Sequence, residues 1–363
     1  MSFTSLFKSL DIFDYVSLIG VIFVIYVARY YYKYFTRVNP LPGPFPFPLI
    51  GNLPQFIYYG RNFKPYLEYN HKKYGDLYEI HLGIRRIIIN RAEYIEKLLT
   101  PSTKSQYMMR FPYTKGLDEL GVMDRGLIFN HDLKSWRYNR QFFTQAILSP
   151  KFTQEVIDWT NRLFNELEGY WNKLYLKNEI IEANKNQFDF SAWLNRYTND
   201  MIIALITGQR SYTMAAYFNT QGVEKTLHPP AIIDDSERFV QNFRKFVLGA
   251  PIFIVVPPFF RRYVPFLKSK SDDVLQKIKY IHQKLDEIIK KRRQLIENTP
   301  MDKPLPHDML TSVIIANTPR DINYIKTVGG EAMDRPMTDI EIRGIMFDGF
   351  LGGTDTVNKL LLF

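Results

Sequence analysis

The stretch Gly349-Phe350-Leu351-Gly352-Gly353-Thr354-Asp355-Thr356 decides how the rest of the chain is read. It lies in a helix that opens on Thr338-Asp339-Ile340-Glu341, with Thr338 as N-cap and Glu341 at N3 of a capping box. The helical pattern continues to Phe363 without a stop signal. Glycine in a helix interior costs about 1 kcal/mol relative to alanine. A helix that accepts Gly349, Gly352 and Gly353 so close together needs close approach on that face, or a local distortion. Thr356 can return its hydroxyl to a carbonyl one turn back, near Gly352, and open the helix there. Asp355 supplies an ionisable neighbour. Glycine space, an acid and an alcohol together suit proton delivery beside a flat ligand. Tight helix–helix packing with a solvent-facing Asp355 is the competing reading.

A second informative stretch is Trp136-Arg137-Tyr138-Asn139-Arg140. Trp136 and Arg140 are four apart and share a helix face. Indole N–H and guanidinium are both donors, so together they would clamp a carboxylate. A surface cation–π pair is the plainer alternative.

Composition narrows the rest. The chain has 363 residues, 46% apolar and 23% charged, the fractions of a folded protein. Its net charge of +10 favours an acidic partner or an anionic membrane surface. Cysteine is absent, which removes disulfides, Fe–S clusters, thiolate zinc sites and cysteine nucleophiles. The six histidines show no ligand spacing, so no histidine metal site is expected. There is no GxGxxG and no phosphate loop. Lys290-Lys291-Arg292-Arg293 reads as a solvated helix end rather than a nucleic-acid patch, and no nucleic-acid partner is expected.

The N-terminus points to a bilayer. Ile12 to Ala28 is the one long apolar run, followed by Tyr30, Tyr31, Tyr32, Tyr34 and Phe35, which suit the headgroup layer. Arg29, Lys33 and Arg37 follow the run and put its C-terminal side in the cytosol. A cleaved signal peptide fits less well, because Tyr26 and Ala28 make no small-residue cleavage pair. Pro40, Pro42, Pro44, Pro46 and Pro48 alternate, which predicts an extended, semi-rigid spacer with Phe45, Phe47, Leu49 and Ile50 packing onto the body.

The expected fold class is mainly α with a small β part. Helices are predicted over Phe63–Tyr74, Arg91–Leu99, Lys134–Leu148, Val156–Leu174 and Ser191–Ile206, and strands over Asp76–Ile80 and Arg85–Asn90. Between Gly208 and Pro265 aromatics and prolines predict short, loosely ordered helices: a lid, a second membrane contact, or loop-rich core. Ser271 is the predicted N-cap of a long helix with the stripe Val274, Ile278, Ile281, Leu285, Ile288 and Leu295.

In this order the parts resemble a membrane-anchored, microsomal type cytochrome P-450. The resemblance covers the whole chain, and its order is more specific than any single motif. It implies a membrane anchor over 1–38, a proline-rich hinge over 39–52, and a partial haem monooxygenase domain over 53–363. By the resemblance Trp136 and Arg140 would hydrogen-bond the propionates of haem b, and Gly352 and Gly353 would form the groove above the iron. Asp355 and Thr356 would deliver protons there. Phe111, Phe350 and Leu351 would line the pocket of a lipophilic substrate. An NADPH-dependent flavin reductase would supply electrons. The protein would be single-pass in the endoplasmic reticulum membrane with its body on the cytosolic face. Position 357 is valine where many members carry a second hydroxyl.

One departure matters. The family holds its iron through a cysteine thiolate. This chain has no cysteine and no Glu-x-x-Arg. Both normally follow the late helix, and the chain stops on Leu360-Leu361-Leu362-Phe363 with no cap. The expectation is a truncated monooxygenase, inactive as this 363-residue chain, with no axial metal ligand of its own. The alternative is a non-catalytic membrane-anchored protein that binds lipids or a partner.

Overall fold

Two seams organise the chain, one in each of the compact units Met1–Tyr107 and Met108–Phe363. The computed structural model describes residues 11–60, 62–82, 84–99, 113–176, 189–221, 225–321, 335–354 and 356–357.

In the first unit, helix α1 (Ile12–Phe35) starts on Asp11, which accepts from the amides of Phe13 and Asp14 while Asp14 bonds back to the Asp11 N–H. None of its residues is buried, and among the described residues it is the one helix long and apolar enough to cross a membrane. Strands β1 (Leu77–Leu82) and β2 (Ile84–Ile89) pair antiparallel, with Leu77 opposite Ile89 and Leu82 opposite Ile84. Helices α2 (Leu53–Tyr58), α3 (Phe63–Tyr74) and α4 (Ala92–Leu99) accompany the hairpin. Tyr66, Tyr78 and Ile80 form a small core.

The proline segment lies along β1. The Glu79 N–H donates to the Pro42 carbonyl (2.9 Å), and the Asn52 N–H to that of His81 (2.7 Å). A Cβ on Gly43 or Gly51 would overlap the carbonyls of Glu79 and His81, so only glycine permits this approach. The expected packing is reversed. Pro44 and Pro46 are buried, whereas Phe45, Phe47, Leu49 and Ile50 are exposed.

The second unit is helical: α5 (Lys115–Glu119), α6 (Leu133–Ile147), α7 (Pro150–Trp171), α8 (Phe190–Thr207), α9 (Thr213–Gln221), α10 (Ser236–Gly249), α11 (Pro251–Val255), α12 (Pro258–Tyr263), α13 (Pro265–Asn298), α14 (Met309–Ile315) and α15 (Asp339–Gly353). Helix α8 ends at Gly208 in the left-handed conformation (φ 63°) that glycine tolerates. Helix α15 packs against α8, α13, α14 and α6. The fold is mainly α with one small sheet, as the sequence implies.

Three local expectations fail for identifiable reasons. The region after Gly208 is not loosely ordered throughout: Phe239, Phe243 and Phe246 sit at helical spacing on α10 and are buried against Phe347 and Phe350. Ser271 is not an N-cap. Helix α13 starts at Pro265, which needs no amide partner in the first turn, and the Ser271 hydroxyl bonds the Leu267 carbonyl (2.8 Å). Arg292 is not solvated. It is 4% exposed and donates to Asp308 (2.7 Å), Thr311 Oγ1 (3.0 Å) and the Thr207 carbonyl (2.6 Å). That network joins α13, α14 and α8, while Leu295 faces solvent.

Candidate functional site

The late helix begins as its sequence predicts: the Glu341 N–H donates to Thr338 Oγ1 (3.3 Å) and the Thr338 N–H to Glu341 Oε2 (2.8 Å). Gly344, Asp348, Gly352 and Thr356 then form one i, i+4 row along it. The backbone of residues 125–128, in the loop before α6, presses on the start of this row. A Cβ on Gly344 would lie 2.5 Å from the Arg125 carbonyl carbon and 2.7 Å from the Gly126 nitrogen. A Cβ on Gly126 would meet the Asp348 carboxylate. Both positions therefore require glycine through close backbone approach.

Asp348 holds the seam. Its Oδ2 accepts from the amides of Leu127 (2.5 Å) and Ile128 (2.8 Å). The side chain is almost fully buried, with no cation bonded to it among the described residues. Burial pushes its carboxyl up to about 6, against the opposing pull of the two amides. Leu127 then passes the connection on, because its carbonyl accepts from the Trp136 indole N–H (3.0 Å). Asn139 Nδ2 bonds the carbonyls of Arg125 and Gly126, each at 3.1 Å, and fixes the same loop to α6. Trp136 and the glycine row are thus joined through a single residue, Leu127.

All but two of the predicted site residues have a place in the structure. Among the described residues, a Cβ on Gly352 would meet nothing within 4 Å, so none of them closes off this glycine. Thr356 is exposed, and its hydroxyl donates to the Gly352 carbonyl, as its position predicts. Arg140 is exposed, its guanidinium lies over the Trp136 ring (5.2 Å), and it has no carboxylate partner among the described residues. Asp355 and Phe111 lie outside the described residues.

The surroundings of the other candidates differ from one another. The Trp136 N–H already has an acceptor in Leu127, so of that pair only the Arg140 guanidinium lacks a carboxylate partner among the described residues. Gly353 is a packing glycine: a Cβ there would overlap the Ile202 side chain of α8. Phe350 is fully buried against Phe239 (5.5 Å) and Phe243 (6.0 Å) in the aromatic core. Leu351 is half-buried against the same core. Helix α15 is interrupted after Gly353, where the Thr354 hydroxyl bonds the Phe350 carbonyl (2.8 Å), and Thr356 and Val357 are helical again. Residues 358–363 are outside the described set.

Asp348, Gly344 and Gly126 were not anticipated. A lone acid inside the apolar run Ile345-Met346-Phe347-Asp348 was the available signal. A groove of about 820 Å³ between α5 and α13 contains none of these residues. Its carboxylates are already paired, Glu119 with Arg261, Asp286 with Arg343 and Glu287 with Lys284. Among the described residues no acidic, histidine or cysteine cluster suits a metal ion.

The family model for cytochrome P-450 matches residues 41–361, and the chain belongs to that family. It is 25% identical over 325 residues to (+)-vincadifformine 19-hydroxylase of Catharanthus roseus, covering 88% of this chain and 56% of that protein. It is 22% identical over 245 residues to aromatase 1 of Sus scrofa, covering 66% and 43%. The chain thus spans about half the length of the curated relatives it matches. The crystal structure of cytochrome P-450DA heme domain matches with a TM-score of 0.56 at 16% identity, over 89% of this chain and 59% of that one. That likeness is one of fold.

Proposed function

We propose that this chain supplies the distal wall of a haem monooxygenase that inserts one oxygen atom of O2 into a lipophilic substrate. The observation that carries the reading is the seam itself. Among the described residues, a guanidinium at Arg140 with no carboxylate partner and a glycine at Gly352 with nothing opposite it are connected through Trp136, Leu127 and Asp348. These residues fit one side of a flat, acid-bearing macrocycle. The axial thiolate cannot come from these 363 residues, which contain no cysteine.

Arg140 would hold a propionate by charge-assisted hydrogen bonds. Trp136, held by Leu127, would keep the guanidinium in place through its ring face. Gly352 leaves room for the ring to approach the helix. Thr356 would hold a proton at Oγ1 where its hydroxyl meets the Gly352 carbonyl, with Asp355 as the neighbouring acid. When bound, haem iron supplies the activation of dioxygen. Electrons would come from an NADPH-dependent flavin reductase. Helix α1 would cross the endoplasmic reticulum membrane once, with the remainder on the cytosolic face.

The test is a haem titration of the full chain. Arg140→Gln should weaken binding about tenfold, the loss of one charge-assisted bond. Equal affinity would contradict the assignment. Reduction under carbon monoxide should give no thiolate-type red-shifted Soret band, because no thiolate is available. A chain that takes up no haem favours the alternative of a non-catalytic membrane-anchored lipid- or partner-binding protein.

A further inference from the structure

The exit of α1 is clamped rather than hinged. Glu79 on β1 is 1% exposed, and cations from two directions converge on it. Arg37, just beyond α1, reaches Oε1 at 2.6 Å, and Arg85 on β2 donates through Nε to Oε2 at 2.8 Å. His81 Nε2 lies 3.5 Å away, and the Leu41 N–H donates to Oε2 at 3.4 Å. Burial alone would raise the Glu79 carboxyl, but Arg37 and then Arg85 hold it below its ordinary range. Arg85 also donates to the carbonyls of Val38 (3.1 Å) and Asn39 (2.7 Å), and the Arg37 guanidinium stacks on Tyr34 (3.9 Å). Phe45 stacks on Tyr31 (5.3 Å, 16° between planes) and meets Tyr34 edge-on (5.5 Å). A helix end, a proline segment and a strand are therefore one body.

That body has an outer face which breaks two local rules together. Phe47 and Gly51 exchange backbone hydrogen bonds (2.9 and 2.7 Å) and close a tight turn over Pro48-Leu49-Ile50. Leu49 sits at φ 68°, a left-handed conformation that an L-residue with a side chain rarely adopts. Yet its side chain is 72% exposed, so burial does not offset the strain. Ile50, Phe47, Phe45 and Phe35 are exposed beside it, continuous with a helix suited to a bilayer. Lys33 and Arg29 face solvent on α1, where they suit lipid phosphates.

We propose that the segment Tyr31–Asn52, locked to Glu79, is a rigid collar lying in the interfacial layer of the bilayer, with the turn at Leu49 as its embedded tip. This rests on the reading of α1 as a membrane-spanning helix. The collar fixes the angle at which the first unit leaves the membrane. Its partner is lipid, because an apolar tip ringed by aromatics matches the headgroup–acyl boundary.

The absence of native cysteine makes single labels unambiguous. Val21→Cys, Leu49→Cys and Lys72→Cys each receive a bimane fluorophore. The full chain is reconstituted in phosphatidylcholine vesicles carrying lipids spin-labelled near the carbonyl or near the acyl-chain end. The label at 21 should be quenched by the deep probe. The label at 49 should be quenched by the shallow probe about three-fold more than the label at 72, as an interfacial position requires. Deep quenching at 21 with 49 no more quenched than 72 overturns the collar while leaving the span intact. No quenching at 21 refutes the span itself. Glu79→Gln with the label at 49 should lose about half of the shallow quenching while 21 is unchanged, since a released exit samples many depths. Undiminished quenching at 49 would show that the tip embeds without the clamp, and would overturn its rigidity.

Discussion

Glu79 and Asp348 are both buried carboxylates, and each joins two separate segments of its own unit, Glu79 the exit of α1 to β1 and β2, Asp348 the loop before α6 to α15. They differ in what faces them. Glu79 is met by two guanidiniums and stays ionised, with its carboxyl held down. Among the described residues Asp348 is met by two backbone amides alone, and burial pushes it up to about 6. The first seam is a permanent lock. The second is a joint whose charge changes within an ordinary pH range. The contrast follows from donor type, because amides stabilise a carboxylate but cannot neutralise it.

The largest expected break in this comparison is Glu79→Ala. It leaves Arg37 and Arg85 facing one another without a counter-charge, and should cost about 3 kcal/mol. Urea unfolding followed at the tyrosine-rich first unit measures it. A loss well below that would place the strength of the exit in the aromatic stack on Phe45 instead.

Gly126→Ala should come next. The added methyl meets the Asp348 carboxylate and lies 2.6 Å from the Gly344 carbonyl, neither of which can yield without opening the seam. The expected loss is about 2 kcal/mol, read from the thermal midpoint. A neutral substitution would mean that loop and helix are not pressed together as described.

Asp348→Asn sharpens the difference in kind. The native carboxyl binds its proton more tightly in the fold than in the unfolded chain. Stability from this group is therefore full below pH about 4 and is lost as pH rises through about 6. The asparagine variant keeps an acceptor for both amides and removes the buried charge. It should be about 1–2 kcal/mol more stable than the native chain at pH 7.5. It should also lack the native slope between pH 4 and 6. A destabilised variant at pH 7.5 would show that the joint needs the full negative charge.

Gly352→Ala is the smallest. None of the described residues closes off the position, so alanine should gain about 0.5–1 kcal/mol of helix propensity in stability. Gly353→Ala should be destabilising, since its methyl meets Ile202. Equal effects at the two positions would erase the distinction between an open glycine and a packing one.

Much of the frame was legible in sequence because local chemistry decides it. The helix at Phe63–Tyr74 ends before Gly75, α8 ends at Gly208, and the Thr338–Glu341 capping box forms as its spacing requires. The return of the Thr356 hydroxyl to Gly352 is likewise a local bond. What was not legible depends on neighbours distant in sequence. Gly352 and Gly353 are identical residues, separated only by whether Ile202 stands opposite. Asp348 lacks any local partner, and its two amides arrive from residues more than two hundred positions earlier. The helical spacing of Phe239, Phe243 and Phe246 was masked by the prolines that follow it, and Arg292 by the basic residues beside it.

The central claim is that a tetrapyrrole lies against the seam between Trp136 and Gly352. A bound porphyrin accepts indole emission by energy transfer that falls steeply with distance, so comparing the full chain with its Trp136→Phe variant separates the loss at that residue from the partial loss at Trp159, Trp171 and Trp193. The account predicts that porphyrin extinguishes the Trp136 component most completely and that Gly352→Leu abolishes this effect. Porphyrin binding that leaves the Trp136 component untouched, or quenching indifferent to a leucine at 352, would contradict it.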